Sequence, residues 1–364
     1  MRNHEVVDSH NLLDERGMLI EPGWSKALIQ RYDRKQIKAS KFKIKEWDYY
    51  LVLNDDFAGA FTLSDDGYIG LQSVSFLNLK EGWEHTETIL NPLPLGKMKM
   101  PKTSAQGDIV YEDKKLSLSY RHEVLSYDEA VKLYGDVITE EDKKSGKCKI
   151  RHISCVMFDF YKGMTLSADI KLYQPKMDTM VIATPWEEKL TAFYYNQKIN
   201  CMPAYGYMKL GEDEFVFDPS INYGTLDWGR GVWTYDNRWY WGSGNQTVNG
   251  KPFGFNIGYG FGDTSAASEN ILFYDGVCHK LDDVKFNIPS SSYTDPWTIT
   301  SSDGRFEMDF VPVIDRAARI NAGIIESDQH QVFGRMSGNV ILDDGTKLEI
   351  KDLMCFAEDV HNRY

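Results

Sequence analysis

Two carboxylates, Asp227 and Glu269, stand where this sequence makes a negative charge costly. Asp227 opens the stretch Asp227-Trp228-Gly229-Arg230-Gly231-Val232-Trp233, and Trp239-Tyr240-Trp241 follows, so four of the nine Trp fall within fourteen residues. Glu269 precedes Asn270-Ile271-Leu272-Phe273, an apolar run in which an uncompensated carboxylate is unfavourable. A carboxyl group set among rings has its pKa raised by desolvation and can give or take a proton near neutral pH. The same residues also suit a structural role, with Asp227 anchoring a turn and Arg230 pairing with Glu269. Both readings stand at this level.

Other groups could complete such a site. Asn256, Tyr259 and Asn270 share a glycine-spaced stretch with Glu269, and glycines inside strands admit a ligand or a second backbone. Tyr195, Asn196 and Lys198 offer hydroxyl, amide and ammonium groups to a cleft between domains. Trp228, Trp233 and Trp241 would wall a pocket, and Arg230 would hold a polar group of the ligand. Trp83-Glu84-His85 sets a carboxylate and an imidazole around a ring, but a lone His of this kind reads as a surface residue.

Signatures for other chemistries are missing: no glycine-rich phosphate loop, HExxH, GxSxG or EF-hand loop occurs. The expectation is therefore no cofactor and no metal. Five cysteines, an odd number without CxxC spacing, read as reduced structural thiols. The net charge of −13 repels phosphate backbones and anionic headgroups, which argues against nucleic-acid and membrane partners. No apolar run reaches signal-peptide or membrane-span length, so a cytoplasmic monomer or homodimer is expected.

The elements that would position these groups are strands. Met164, Leu166, Ala168, Ile170 and Leu172 alternate with Thr165, Ser167, Asp169 and Lys171, a period of two with one buried face. In a strand from Asp227, the same period puts Asp227, Gly229, Gly231 and Trp233 on one face and Trp228, Arg230 and Val232 on the other. Asp66-Gly67, Asn249-Gly250, Asp275-Gly276, Asp303-Gly304 and Asp344-Gly345 supply hairpin turns. Helices are expected only at Ser126 to Gly135, with a Ser126/Glu129 capping box, and after a Thr184 cap with Pro185 in the first turn. The cationic run Lys143-Lys144 reads as a solvated loop. The cleanest strand ends at Gln174-Pro175, which divides the chain into β domains over 1–180 and 181–364.

The sequence resembles the domain-of-unknown-function 2804 family. The matching segments are Leu13 to Gly17, Lys45-Glu46-Trp47-Asp48-Tyr49-Tyr50, Pro94 to Met98, Phe193 to Lys198, Asp227 to Gly231 and Gly258 to Asp263. It is more distantly similar to the tandem lipocalin-like group that includes carotenoid hydratase and tocopherol cyclase. The Trp-x-Asp-x-x-Trp core of that group is matched only loosely, by Asp227-Trp228 with Trp233 and Trp241. The resemblance implies an all-β fold of two lipocalin-like antiparallel barrels side by side, and a hydrophobic ligand of isoprenoid, polyketide or steroid-like character. Cofactor-free hydration, isomerisation or cyclisation would use Asp227 or Glu269 as the acid. The alternatives are a non-catalytic carrier of a lipophilic ligand and a carbohydrate-active protein.

Overall fold

The computed structural model describes residues 3–322 and 325–363. It is almost entirely antiparallel β, in two curled sheets set side by side. Among the described residues the first sheet has 13 strands, and its central pair is Ile44–Leu53 and Tyr223–Val232, followed by Lys189–Leu210 and Met164–Tyr173. The second has nine, centred on Asp236–Val248, Lys347–Arg363 and Ile325–Ile341. No helix among the described residues is long and apolar enough to cross a membrane.

Local expectations hold where side-chain periodicity sets them. Leu166, Ala168, Ile170 and Leu172 are buried, and the polar residues between them are half-exposed. Asn249 and Gly250 both take positive φ, 51° and 73°, as the tight turn between Asp236–Val248 and Lys251–Tyr259 requires. The helix Tyr127–Tyr134 carries the Ser126/Glu129 capping box, with Gly135 at its end. Glu140–Ser145, which contains Lys143 and Lys144, is a short helix capped by Thr139 and Gly146 where a loop is expected.

Two further expectations fail. Met180–Trp186 is a strand paired with Lys189–Leu210, and the helix-start signals at Thr184-Pro185 lose to that pairing. The Thr184 hydroxyl donates to the Phe261 carbonyl at 2.6 Å, and Pro185 sits at a register shift. At such an irregularity its missing N–H is tolerated. The change of sheet also falls later than 180/181: the first sheet runs to Val232 and the second begins at Asp236. The Lys189–Leu210 and Tyr223–Val232 strands therefore belong to the N-terminal sheet.

Alternation sorts the strands at the seam between the sheets. In Lys251–Tyr259, Phe253, Phe255 and Ile257 fill the second core, which leaves Gly254, Asn256 and Gly258 on the other face. Trp241, Phe261, Ile271 and Phe356 join the first core instead, so hydrophobic packing is continuous across the seam. Trp47 lies directly over Gly229, and a Cβ there would fall inside the indole ring. The space left by Gly229 is thus filled by tryptophan. Gly229→Ala is expected to lower stability by about 2 kcal/mol through overpacking, read from urea unfolding. Adding Trp47→Leu should recover part of that loss, and an undiminished penalty in that background would contradict the packing.

Candidate functional site

The seam brings charged groups together in the interior. Lys198 and Asp227 are directly paired residues of neighbouring strands, and Lys198 Nζ lies 2.9 Å from Asp227 Oδ1. The ammonium also sits 3.8 Å from the Trp241 ring centroid, across the seam. Asn196 Nδ2 donates to the same Asp227 oxygen at 2.6 Å. Trp241 Nε1 donates to Asn256 Oδ1 at 2.7 Å, and Asn256 Nδ2 donates to the Glu269 carbonyl at 3.0 Å and to Glu269 Oε2 at 3.3 Å. A Cβ at position 258 would lie 2.8 Å from Glu269 Oε1, so Gly258 leaves room for this carboxyl.

Glu358 enters the same seam from Lys347–Arg363, opposite Trp241. It accepts from Trp239 Nε1 at 3.0 Å and from Gln331 Nε2 at 2.9 Å. Burial pushes its pKa up to about 7, against the pull of those hydrogen bonds and of Lys198 and Arg316. Burial also raises the Glu269 carboxyl; Lys198 and Asn256 oppose the shift and Asp227 adds to it. Burial drives the Tyr194 hydroxyl far above its ordinary range, reinforced by Glu269, Asp227 and Glu358. One ammonium thus balances one carboxylate, and two further carboxyls are held towards their neutral forms.

Hydrogen bonding in the seam is incomplete. Glu269 Oε1, Tyr194 Oη, Asn196 Oδ1 and Trp233 Nε1 are buried without a hydrogen-bond partner among the described residues. Such an atom typically costs about 1–3 kcal/mol. Rings close the seam: Trp233 packs on Trp239 at 5.3 Å, Trp239 on Phe261 at 5.5 Å and Phe261 on Tyr194 at 4.5 Å. A 220 Å³ cleft has Trp233 in its wall, and one of 440 Å³ is lined by Gly260 and Gly262, the chain neighbours of Phe261. None of five clefts, of 220–440 Å³, has Asp227, Glu269 or Glu358 in its wall. Around these acids the rings stack on one another, where a ring-lined hollow was expected.

Asp227, Asn196, Lys198, Trp233, Trp241, Asn256 and Glu269 therefore converge. Other expected residues do not. Arg230 points into the first sheet's interior, where it pairs with Asp48 at 3.0 Å and donates to the Pro101 carbonyl at 2.9 Å. Its expected pairing with Glu269 is thus corrected. Trp228 stacks on Arg230, 4.2 Å from guanidinium carbon to ring centroid, and Tyr195 packs behind it while donating to the Gln30 carbonyl. Tyr259 stacks on Tyr240 at 4.6 Å, away from the acids. Asn270 braces backbone, accepting from Gly258 N at 2.7 Å and donating to the Asp282 carbonyl. His85 contacts Glu87 at 3.3 Å, and its ring packs on Phe160 and Tyr161. Glu358 was missed, although a carboxylate at the end of Leu353-Met354-Cys355-Phe356-Ala357 carries the same signal as Glu269.

The family model described as Domain of unknown function (DUF2804) matches residues 3–364. The chain belongs to the DUF2804 family. No curated protein matches the sequence. Among solved structures, this DUF2804 chain is similar to kievitone hydratase from Nectria haematococca, at 9% identity, 88% of each chain covered and a TM-score of 0.48. It is also similar to CghA, at 9% identity, with 99% of this chain and 97% of that chain covered and a TM-score of 0.45.

Glu358 gives this DUF2804 site a pH signature. Its folded pKa stands above the ordinary value of 4.5, so its stabilising contribution is complete below pH 4.5 and is lost as pH rises through about 7. Relative to Glu358→Gln, the unmodified protein should lose about 3 kcal/mol between roughly pH 4 and pH 8. Urea midpoints of both proteins across that range test this, and a pH-independent gap between them would sink the assignment.

Proposed function

We propose that this protein binds a hydrophobic small molecule at the seam between its two sheets and transforms it by cofactor-free acid–base chemistry, such as hydration or isomerisation of an alkene or enone. The observation that carries this reading is the convergence of two neutral-leaning carboxyls, Glu269 and Glu358, on the buried Lys198–Asp227 pair among incompletely hydrogen-bonded polar atoms. Perturbed carboxyls and unsatisfied polar atoms gather where a protein holds groups ready for a reacting molecule.

In a hydration, protonated Glu269 gives its proton to one carbon of the double bond. Water bonds to the other carbon, and ionised Glu358, which titrates near neutrality, takes the proton that water gives up. The two carboxyls then exchange a proton through solvent to restore the starting state. Trp239, whose indole N–H already holds Glu358, would stabilise a passing cation by about 0.5–2 kcal/mol. The substrate would enter by displacing rings of the Trp233–Phe261 layer from one of the two flanking clefts.

A carrier without chemistry is the second reading, favoured by the absence of the acids from the cleft walls. Its site would be the 410 Å³ cleft at the mouth of the second sheet, beside Tyr240, Phe286 and Tyr293. Native mass spectrometry of protein from its own host, unmodified and as Glu269→Gln, Glu358→Gln and Asp227→Asn, separates the readings. Catalysis predicts an apolar ligand that accumulates unconverted on the carboxyl variants, with turnover reduced by about a hundredfold. The same intact ligand on all four proteins would contradict it.

A further inference from the structure

A second lysine sits in an aromatic setting outside the seam chemistry. Lys45 is directly paired with Gly231 of the neighbouring strand. It is only 4% exposed, yet it lines the 220 Å³ cleft with Phe42, Tyr68, Trp233 and Tyr235. Its nitrogen lies 5.1 Å from the Tyr68 ring centroid and 5.9 Å from that of Trp233. Burial pulls its pKa down to about 8, opposed by the nearby Asp66 carboxylate. Asp66, itself raised by desolvation, accepts from Ser64 Oγ at 2.9 Å. A desolvated amine, a carboxyl inclined to hold a proton and flat apolar walls are the parts an amine needs to capture a carbonyl compound.

We propose that Lys45 is a carbonyl-capturing residue, forming a reversible imine with a small aromatic or conjugated aldehyde or ketone seated in this cleft. The amine nitrogen bonds to the carbonyl carbon, and the Asp66 carboxylate relays one proton from that nitrogen to the oxygen. It then relays the second proton from nitrogen to the hydroxyl, which leaves as water as the C=N bond forms. Amine and carbonyl thus give an imine and water, with the Asp66 carboxylate regenerated and no change of oxidation state. The imine lies against the Tyr68 and Trp233 rings.

Benzaldehyde with sodium cyanoborohydride, which supplies hydride to fix the imine as a benzylamine, tests this on the unmodified protein near pH 8, read by peptide mass spectrometry. The adduct is expected on Lys45 roughly tenfold faster than on exposed lysines, because far more of a lysine of lowered pKa is neutral there. Lys45→Arg keeps the cation and should abolish that fast adduct. Benzyl groups spread over exposed lysines with Lys45 no faster, or a fast adduct on Lys43 at the cleft rim instead, would overturn the proposal.

Discussion

The Lys198–Asp227 pair is the constraint around which the seam is built. Lys198 is 1% exposed, and an ammonium taken from water loses solvation that a single carboxylate does not fully restore. The Trp241 face supplies part of the difference, since a desolvated cation over an indole gains about 2 kcal/mol. The pair satisfies one carboxylate only. Glu269 and Glu358, arriving from the other sheet, find Lys198 already engaged and are held towards protonation. The chemistry proposed for the seam follows from this inequality: Asp227 has the direct ion pair with Lys198, and burial outweighs the cations acting on the other two carboxyls.

The fold delivers those groups by long-range closure. Asp227, Asn196 and Lys198 come from two adjacent strands of the first sheet, whereas Glu269 comes from the segment between strands Lys251–Tyr259 and Ile271–Tyr274. The N-terminal segment pins that stretch: His4 N donates to the Ala266 carbonyl at 2.8 Å and Ser268 N to Asn3 Oδ1 at 3.2 Å. Trp24 lies under the Lys280 ammonium, which itself donates to the Asn270 carbonyl at 2.7 Å. The first residues of the chain and the Glu269 loop are therefore mechanically linked.

Period-two burial and turn chemistry made the β architecture legible, because both act over a few residues. They also set Asp227 and Arg230 on opposite faces, as found. Arg230's partner was not legible: Asp48 is 182 residues away, and only sheet register joins them. The Thr184-Pro185 signals misled because strand pairing overrode a local cap. Glu358 could have been found by the argument that found Glu269, an acid in an apolar run. What the sequence could not reveal was how the rings would be used, since indoles that wall a hollow and indoles that stack on glycine have the same composition and spacing.

The state of the buried carboxyls decides the account. Infrared spectroscopy of protein carrying carbon-13-labelled glutamate, with Glu269→Gln and Glu358→Gln as references, reports protonated carboxyl groups directly. The buried carboxyls should give a carboxylic-acid band at about pH 6 that Glu358→Gln removes, and a second, removed by Glu269→Gln, that persists above the pH at which exposed glutamates ionise. Full ionisation of both groups by about pH 5 would contradict the account.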